Sequence, residues 1–212
     1  MNAQTQSLTL SGPAGAIEAL LDVPAPDLFR APLGTVVVAH PHPQFGGTMT
    51  NKVVQTLARA FVQCGWRAVR FNFRGVGASA GSYDEGRGEL EDLLAVVQAQ
   101  APAEQPLALA GFSFGAFVTT HAIERLWTAR TIERVVLVGT AASRFDAVPV
   151  PADLHPQTLV IHGEQDDTVP LSSVLDWARP QSLPVTVVPD GGHFFHGQLP
   201  LLKTLVARHA RF

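Results

Sequence analysis

The sequence predicts an α/β fold with a mostly parallel central sheet and helices on both of its faces. Short apolar, β-branched runs recur along the chain, amphipathic helical patterns fall between them, and the runs lack polar alternation. Unbroken apolar character is what a strand needs when helices cover both of its faces, whereas a half-exposed antiparallel strand alternates. Strands separated by helices imply βαβ crossovers and place ligands at the strands' carboxyl ends.

The first segment departs from this pattern. Ser7-Leu8-Thr9-Leu10 and residues 17–21 flank Gly12-Pro13-Ala14-Gly15, which reads as a hairpin at the sheet edge. Residues 24–32, rich in proline, connect it to the buried strands expected at 35–39, 68–71, 107–110, 135–138, 158–161 and 185–188. Residues 51–64 place Val54, Leu57, Ala58 and Phe61 at helical spacing, and residues 89–98 do so with Leu90, Leu93, Leu94 and Val97. Further helices are expected at 116–129, 172–178 and 198–212.

A chain of 212 residues, 46% hydrophobic and 16% charged, can bury one substantial core, so a single domain over residues 1–212 is expected, without linker or repeat. A net charge of -3 supplies no cationic surface for nucleic acid or anionic lipid, which leaves small molecules as partners. Cys64 is the only cysteine, so an intramolecular disulfide and a cysteine-rich zinc site are excluded and a reducing compartment fits. Residues 1–10 lack the basic start and apolar stretch of a signal peptide, and no run approaches the roughly 20 apolar residues of a membrane span. The expectation is a soluble, cytoplasmic protein.

Gly111-Phe112-Ser113-Phe114-Gly115 follows the strand at 107–110 and opens a helical pattern. A serine in that context sits on a tight, strained turn, with glycines that let strand and helix approach closely. The Phe114 amide then lies at a helix start, where developing negative charge is favoured. A serine hydroxyl needs an imidazole to accept its proton, and the imidazole needs a carboxylate to fix its tautomer. Both should lie downstream, acid before histidine. The strand at 158–161 runs into His162-Gly163-Glu164-Gln165-Asp166-Asp167, one of whose carboxylates is the candidate acid. The last strand leads to Gly191-Gly192-His193-Phe194-Phe195, which makes His193 the candidate base.

Gly111 to Gly115, His162-Gly163 with Asp166 and Val169-Pro170, and Gly192-His193-Phe194 resemble the three catalytic motifs of the α/β-hydrolase superfamily, in its order. His40-Pro41-His42-Pro43 with Gly46-Gly47 resembles its oxyanion loop, and Arg70-Phe71-Asn72-Phe73-Arg74-Gly75-Val76-Gly77-Ala78-Ser79 resembles its Arg-Gly-x-Gly-x-Ser segment. The likeness covers the chain from about Thr35 onward and is strongest to small, cap-less hydrolases related to dienelactone hydrolases and short-chain esterases, where Asn51-Lys52-Val53-Val54 also recurs.

This resemblance implies the α/β-hydrolase fold with no separate cap domain and at most residues 83–88 or 143–156 as a rudimentary lid. It implies Ser113 as nucleophile, His193 as base and Asp166 as orienting acid, Asp167 being the neighbour that could substitute. Pro41 stands where the family carries glycine and Pro43 has no N–H, so beside Phe114 the second oxyanion amide falls on His42 by family position, with Gln44 the alternative. Hydrolysis of a carboxylic ester is the first expectation and of a small peptide or amide the second. A non-catalytic scaffold would be marked by loss of a triad member, and none is lost. No metal or organic cofactor is implied.

Competing motifs are weaker. Gly75-x-Gly77-x-x-Ala80 matches a dinucleotide fingerprint formally, but Gly81-Ser82-Tyr83 continues a loop where a helix is required. His40-x-His42 and His193-x-x-His196 fall short of the three or four ligands of a zinc site. Arg74 is expected to anchor its loop, Glu164 to be solvated or to shape its loop, and Cys64 to pack inertly. Phe112, Phe114, Phe194 and Phe195 are expected to line an acyl pocket or to belong to the core.

Overall fold

The apolar runs form one eight-stranded sheet in the computed structural model, which describes residues 5–211. Residues 1–4 and Phe212, the end of the last predicted helix, lie outside the described residues. The strands are β1 (Gln6–Gly12), β2 (Gly15–Asp22), β3 (Thr35–Ala39), β4 (Arg67–Phe71), β5 (Leu107–Phe112), β6 (Ile132–Val138), β7 (Thr158–Gly163) and β8 (Val185–Val188). The helices are α1 (Lys52–Gln63), α2 (Arg87–Gln100), α3 (Phe114–Leu126), α4 (Leu171–Ala178) and α5 (Leu199–Ala210). The strand order is β1-β2-β4-β3-β5-β6-β7-β8. The β1–β2 hairpin joins β4 antiparallel at one edge, and all pairings from β4 to β8 are parallel.

Successive side chains of a strand point to opposite faces, and here they feed two separate cores. Val37, Leu107, Leu109, Val135 and Leu137 pack under α2, α3 and α4 with Leu93, Val97, Val118 and Ile123. Their neighbours Val36, Val38, Ala108, Ala110, Val136 and Val138 pack under α1 and α5 with Val54, Leu57, Phe61, Leu202 and Val206. This two-sided burial is the physical reason why the strand sequences carry no polar alternation.

Helix ends follow local chemistry. Asn51 caps α1, its Oδ1 accepting from the Val53 amide at 2.8 Å, and Cys64 closes the helix with its thiol buried against the Ala207 carbonyl. Helix α3 begins at Phe114, earlier than the pattern at 116–129 indicates, because Ser113 itself occupies the N-cap position. Residues 74–86 form an irregular loop with no helix after Gly75 and Gly77, which removes the dinucleotide reading. Arg74 anchors that loop through Asp92 of α2, and buried Glu89 accepts from the amides of Asp84 and Gly86. Among the described residues no helix is long and apolar enough to cross a membrane.

One buried ion pair ties the antiparallel edge to the parallel sheet. Arg70 of β4 donates from Nε and Nη2 to Asp22 Oδ2 at 3.0 and 2.7 Å, and from Nη1 to the Met49 carbonyl at 3.0 Å. Removing one partner of a buried pair leaves an uncompensated charge, which costs about 3–5 kcal/mol. Asp22→Ala is therefore expected to lower the unfolding free energy by about that amount in urea titration.

Candidate active site

The site assembles where strands β5, β7 and β8 end. Ser113 follows β5 directly and adopts φ 56° and ψ −117°, a left-handed φ that costs a non-glycine residue about 1–3 kcal/mol. The surroundings hold it there. Its amide donates to Val138 of β6 at 2.8 Å, and its carbonyl accepts from Ala116 and Phe117 at 3.0 and 3.1 Å. A Cβ on Gly115 would lie 2.5 Å from the carbonyl oxygens of Ala39 and His40, and one on Gly111 would strike the Gly115 backbone. The glycines thus permit the close approach that carries Ser113 out at the carboxyl edge.

His193 arrives on the turn after β8. Its Nε2 lies 3.0 Å from Ser113 Oγ and its Nδ1 2.7 Å from Asp166 Oδ2. The carboxylate requires a proton on Nδ1, so the Nε2 lone pair faces the serine hydroxyl. The ring rests on Phe112 at 4.9 Å between centroids. Phe195, two residues on, is fully buried beneath α5 at φ 51°, pinning the turn into the core.

Of the two adjacent carboxylates, Asp166 is the one brought to His193, whereas Asp167 is exposed and accepts only from the Thr168 hydroxyl. Asp166 Oδ1 also accepts the amides of Thr168 and Val169 at 3.0 and 2.7 Å. Burial alone would raise its pKa, but the His193 hydrogen bond and the Val169 amide outweigh burial and hold it below the usual carboxylate value. Glu164 shapes the loops, accepting from the Asp190 amide at 3.1 Å and so bridging the segments that carry Asp166 and His193.

Two histidines close to the triad, His40 and His162, make backbone contacts. His40 is buried, with Nε2 accepting from the Phe73 amide at 3.0 Å and Nδ1 against the Pro41 carbonyl at 2.6 Å, so both ring nitrogens are committed. Burial lowers its pKa to about 4. His162 faces the Val169 carbonyl through Nε2 at 2.9 Å and lies 3.5 Å from Asp166, and burial lowers its pKa too. A neutral ring makes that approach a packing contact and not an ion pair.

At the opposite wall, the His42 carbonyl accepts from the amides of Phe45 and Gly47. The Gln44 amide is spent on His42 Nδ1 at 3.2 Å. The amides of His42 and Phe114 have no acceptor among the described residues. Burial first, and the Arg144 charge second, lower the His42 pKa and keep its ring neutral and able to accept. That ring sits against Phe45, Tyr83, Phe114 and Phe145 at 4.7 to 5.8 Å.

Ser113 and His193 open into a cavity of about 370 Å³. Of the four phenylalanines in the sequence motifs, Phe114 and Phe194 line it, while Phe112 and Phe195 belong to the core. Sequence reasoning missed Arg144, Phe145, Phe45 and Asn51, which complete the wall. The position of Arg144 and Phe145, shortly after the carboxyl end of β6, was the available signal.

These features define a cap-less α/β-hydrolase, and the chain belongs to the family described as serine aminopeptidase, S33, which matches residues 30–154. A lid-less α/β serine hydrolase of Xanthomonas campestris is 40% identical, covering 99% of this chain and 94% of that one with a TM-score of 0.86. An α/β serine hydrolase homologue from Coxiella burnetii is 35% identical over 98% and 97% of the two chains, with a TM-score of 0.81. An uncharacterized protein of Rickettsia prowazekii is 39% identical over 119 residues, 54% of this chain and 48% of that protein, so the chain spans about half the length of this curated relative.

The commitments of His40 make a pH prediction. Unfolded, the imidazole binds a proton near 6.5, whereas folded it stays neutral until about 4. The unfolded state therefore binds more protons between those values, so the contribution of His40 to stability is complete above about pH 6.5 and declines as pH falls toward 4. NMR titration of the His40 ring should show a midpoint near 4, and a midpoint above 6 would contradict its buried, neutral state.

Proposed function

We propose that this hydrolase cleaves a small-molecule carboxylic ester by two-step acyl transfer, with Ser113 as nucleophile, His193 as general base and Asp166 as the residue that orients it. The observation that carries this reading is the unbroken hydrogen-bonded chain from Ser113 Oγ through His193 to Asp166, opening onto the cavity. His193 Nε2 takes the hydroxyl proton as Oγ attacks the carbonyl carbon, then returns it to the leaving alcohol. Water attacks the acyl-enzyme by the same route. Asp166 stays ionised, favoured by the hydrogen bonds that depress its pKa, and stabilises the imidazolium. The unpartnered amides of Phe114 and His42 supply the two donors for the oxyanion, and the engagement of Gln44 with the His42 ring favours His42 for the second. No step calls for a metal or organic cofactor.

An aminopeptidase reading is weaker on chemical grounds. Recognition of a protonated amino terminus calls for a carboxylate facing the substrate, whereas the described cavity wall carries Arg144 and no aspartate or glutamate.

A fluorophosphonate probe should label Ser113, read by peptide mapping. Ser113→Ala is expected to lower kcat for a 4-nitrophenyl ester on the order of 10⁶-fold, and Asp166→Ala on the order of 10⁴-fold. Asp167→Ala should change it less than about twofold, the sign that its exposed carboxylate takes no part. A Ser113→Ala protein that hydrolyses the ester at the wild-type rate would overturn the assignment.

A further inference from the structure

The cavity wall is apolar apart from a few groups, and one of these does not fit an ordinary acyl pocket. Phe45, Phe114, Phe145 and Phe194 present rings, while Arg144 brings a permanent positive charge to the same wall as Ser113 and His193. Several arginines have carboxylate partners, Arg70 with Asp22, Arg74 with Asp92, Arg125 with Glu91 and Arg179 with Asp176, and others such as Arg67 and Arg130 donate to amide or carbonyl oxygens. Arg144 has neither an ion pair nor a side-chain hydrogen bond among the described residues, and no described carboxylate lines the cavity. Its charge is felt inside, since it is one of the causes that hold the His42 ring neutral. Asn51 lines the same cavity and spends its Oδ1 on the cap of α1.

We propose that Arg144 is a specificity-determining residue that selects esters carrying a second, anionic group, a carboxylate on a short apolar chain. The proposal rests on the serine-hydrolase reading of Ser113. An unpaired guanidinium presents a planar fork of donors that matches a carboxylate, and such charge-assisted bonds are stronger than neutral ones. The rings accommodate the apolar chain, and a volume of about 370 Å³ suits a small substrate. Arg144 is exposed as well as lining the cavity, so a substrate carboxylate can reach its guanidinium while solvent partly screens the pair.

The test compares kcat/KM within two matched pairs of esters. Mono-4-nitrophenyl adipate against 4-nitrophenyl hexanoate places the charge on the acyl side. 4-Acetoxybenzoate against its methyl ester places it on the alcohol side. Wild type should prefer the carboxylated member of at least one pair by about fivefold, the size expected of one charge-assisted contact made at a solvent-screened guanidinium. Arg144→Gln should bring that ratio close to one, and Arg144→Glu should invert it, a reversal that misfolding cannot produce. Ratios at or below one in both pairs for wild type, or a ratio that survives Arg144→Gln, would overturn the proposal. Fluorophosphonate labelling of Ser113 separates the two failures. Flat ratios with a labelled, active Ser113 remove only the role of Arg144, whereas no labelling and no turnover of any ester remove the hydrolase reading with it.

Discussion

The architecture of the site depends on the close approach of β5 and α3 around Ser113. A left-handed φ at a residue with a side chain is unfavourable, and it persists here because the close packing at the flanking glycines leaves no room for relaxation and because β6 binds the serine's amide and the first turn of α3 its carbonyl. The same corner brings the buried hydroxyl to the cavity, frees the Phe114 amide and sets the spacing to which the turns after β7 and β8 are fitted. Strain at one residue is thus exchanged for preorganisation of several groups.

Around that corner, several polar groups that do not face the cavity are committed to the backbone. His40 joins two backbone segments, Glu164 ties the loop of Asp166 to that of His193, and the Gln44 amide turns inward to the His42 ring. A buried polar group without a partner costs more than a satisfied one gains, so these commitments fix loop geometry. Among the described residues, the donors that line the cavity without a partner include the amides of His42 and Phe114 and the Arg144 guanidinium. The distribution suits a carbonyl oxygen and a further oxygen-rich group.

Much of this was legible in the sequence. The strands of a doubly covered sheet betray themselves by lacking alternation, and Gly111 and Gly115 are readable because no other residue fits where backbones touch. Ser113, His193 and the acidic loop followed from chain order, although the choice of Asp166 over Asp167 and of His42 over Gln44 came from the family's spacing. Adjacent residues are chemically equivalent in a string, and only the turn decides which one points inward. Helix ends were misplaced by a few residues because caps such as Ser113 contribute no periodicity. Arg144 carried only the weak signal of its place after β6, since an arginine in a loop reads as solvated until the fold brings that loop to a cavity.

Phe195 carries a mechanical consequence. It is rooted in the layer beneath α5, yet it stands two residues from the imidazole at the rim. The turn between them behaves as a short lever with one end clamped, so any loosening of the α1 and α5 packing is transmitted to the ring nitrogen that faces Ser113. Integrity of the layer under α1 and α5 thereby becomes a condition for the contact between His193 and Ser113, with no residue of α5 needing to touch either group.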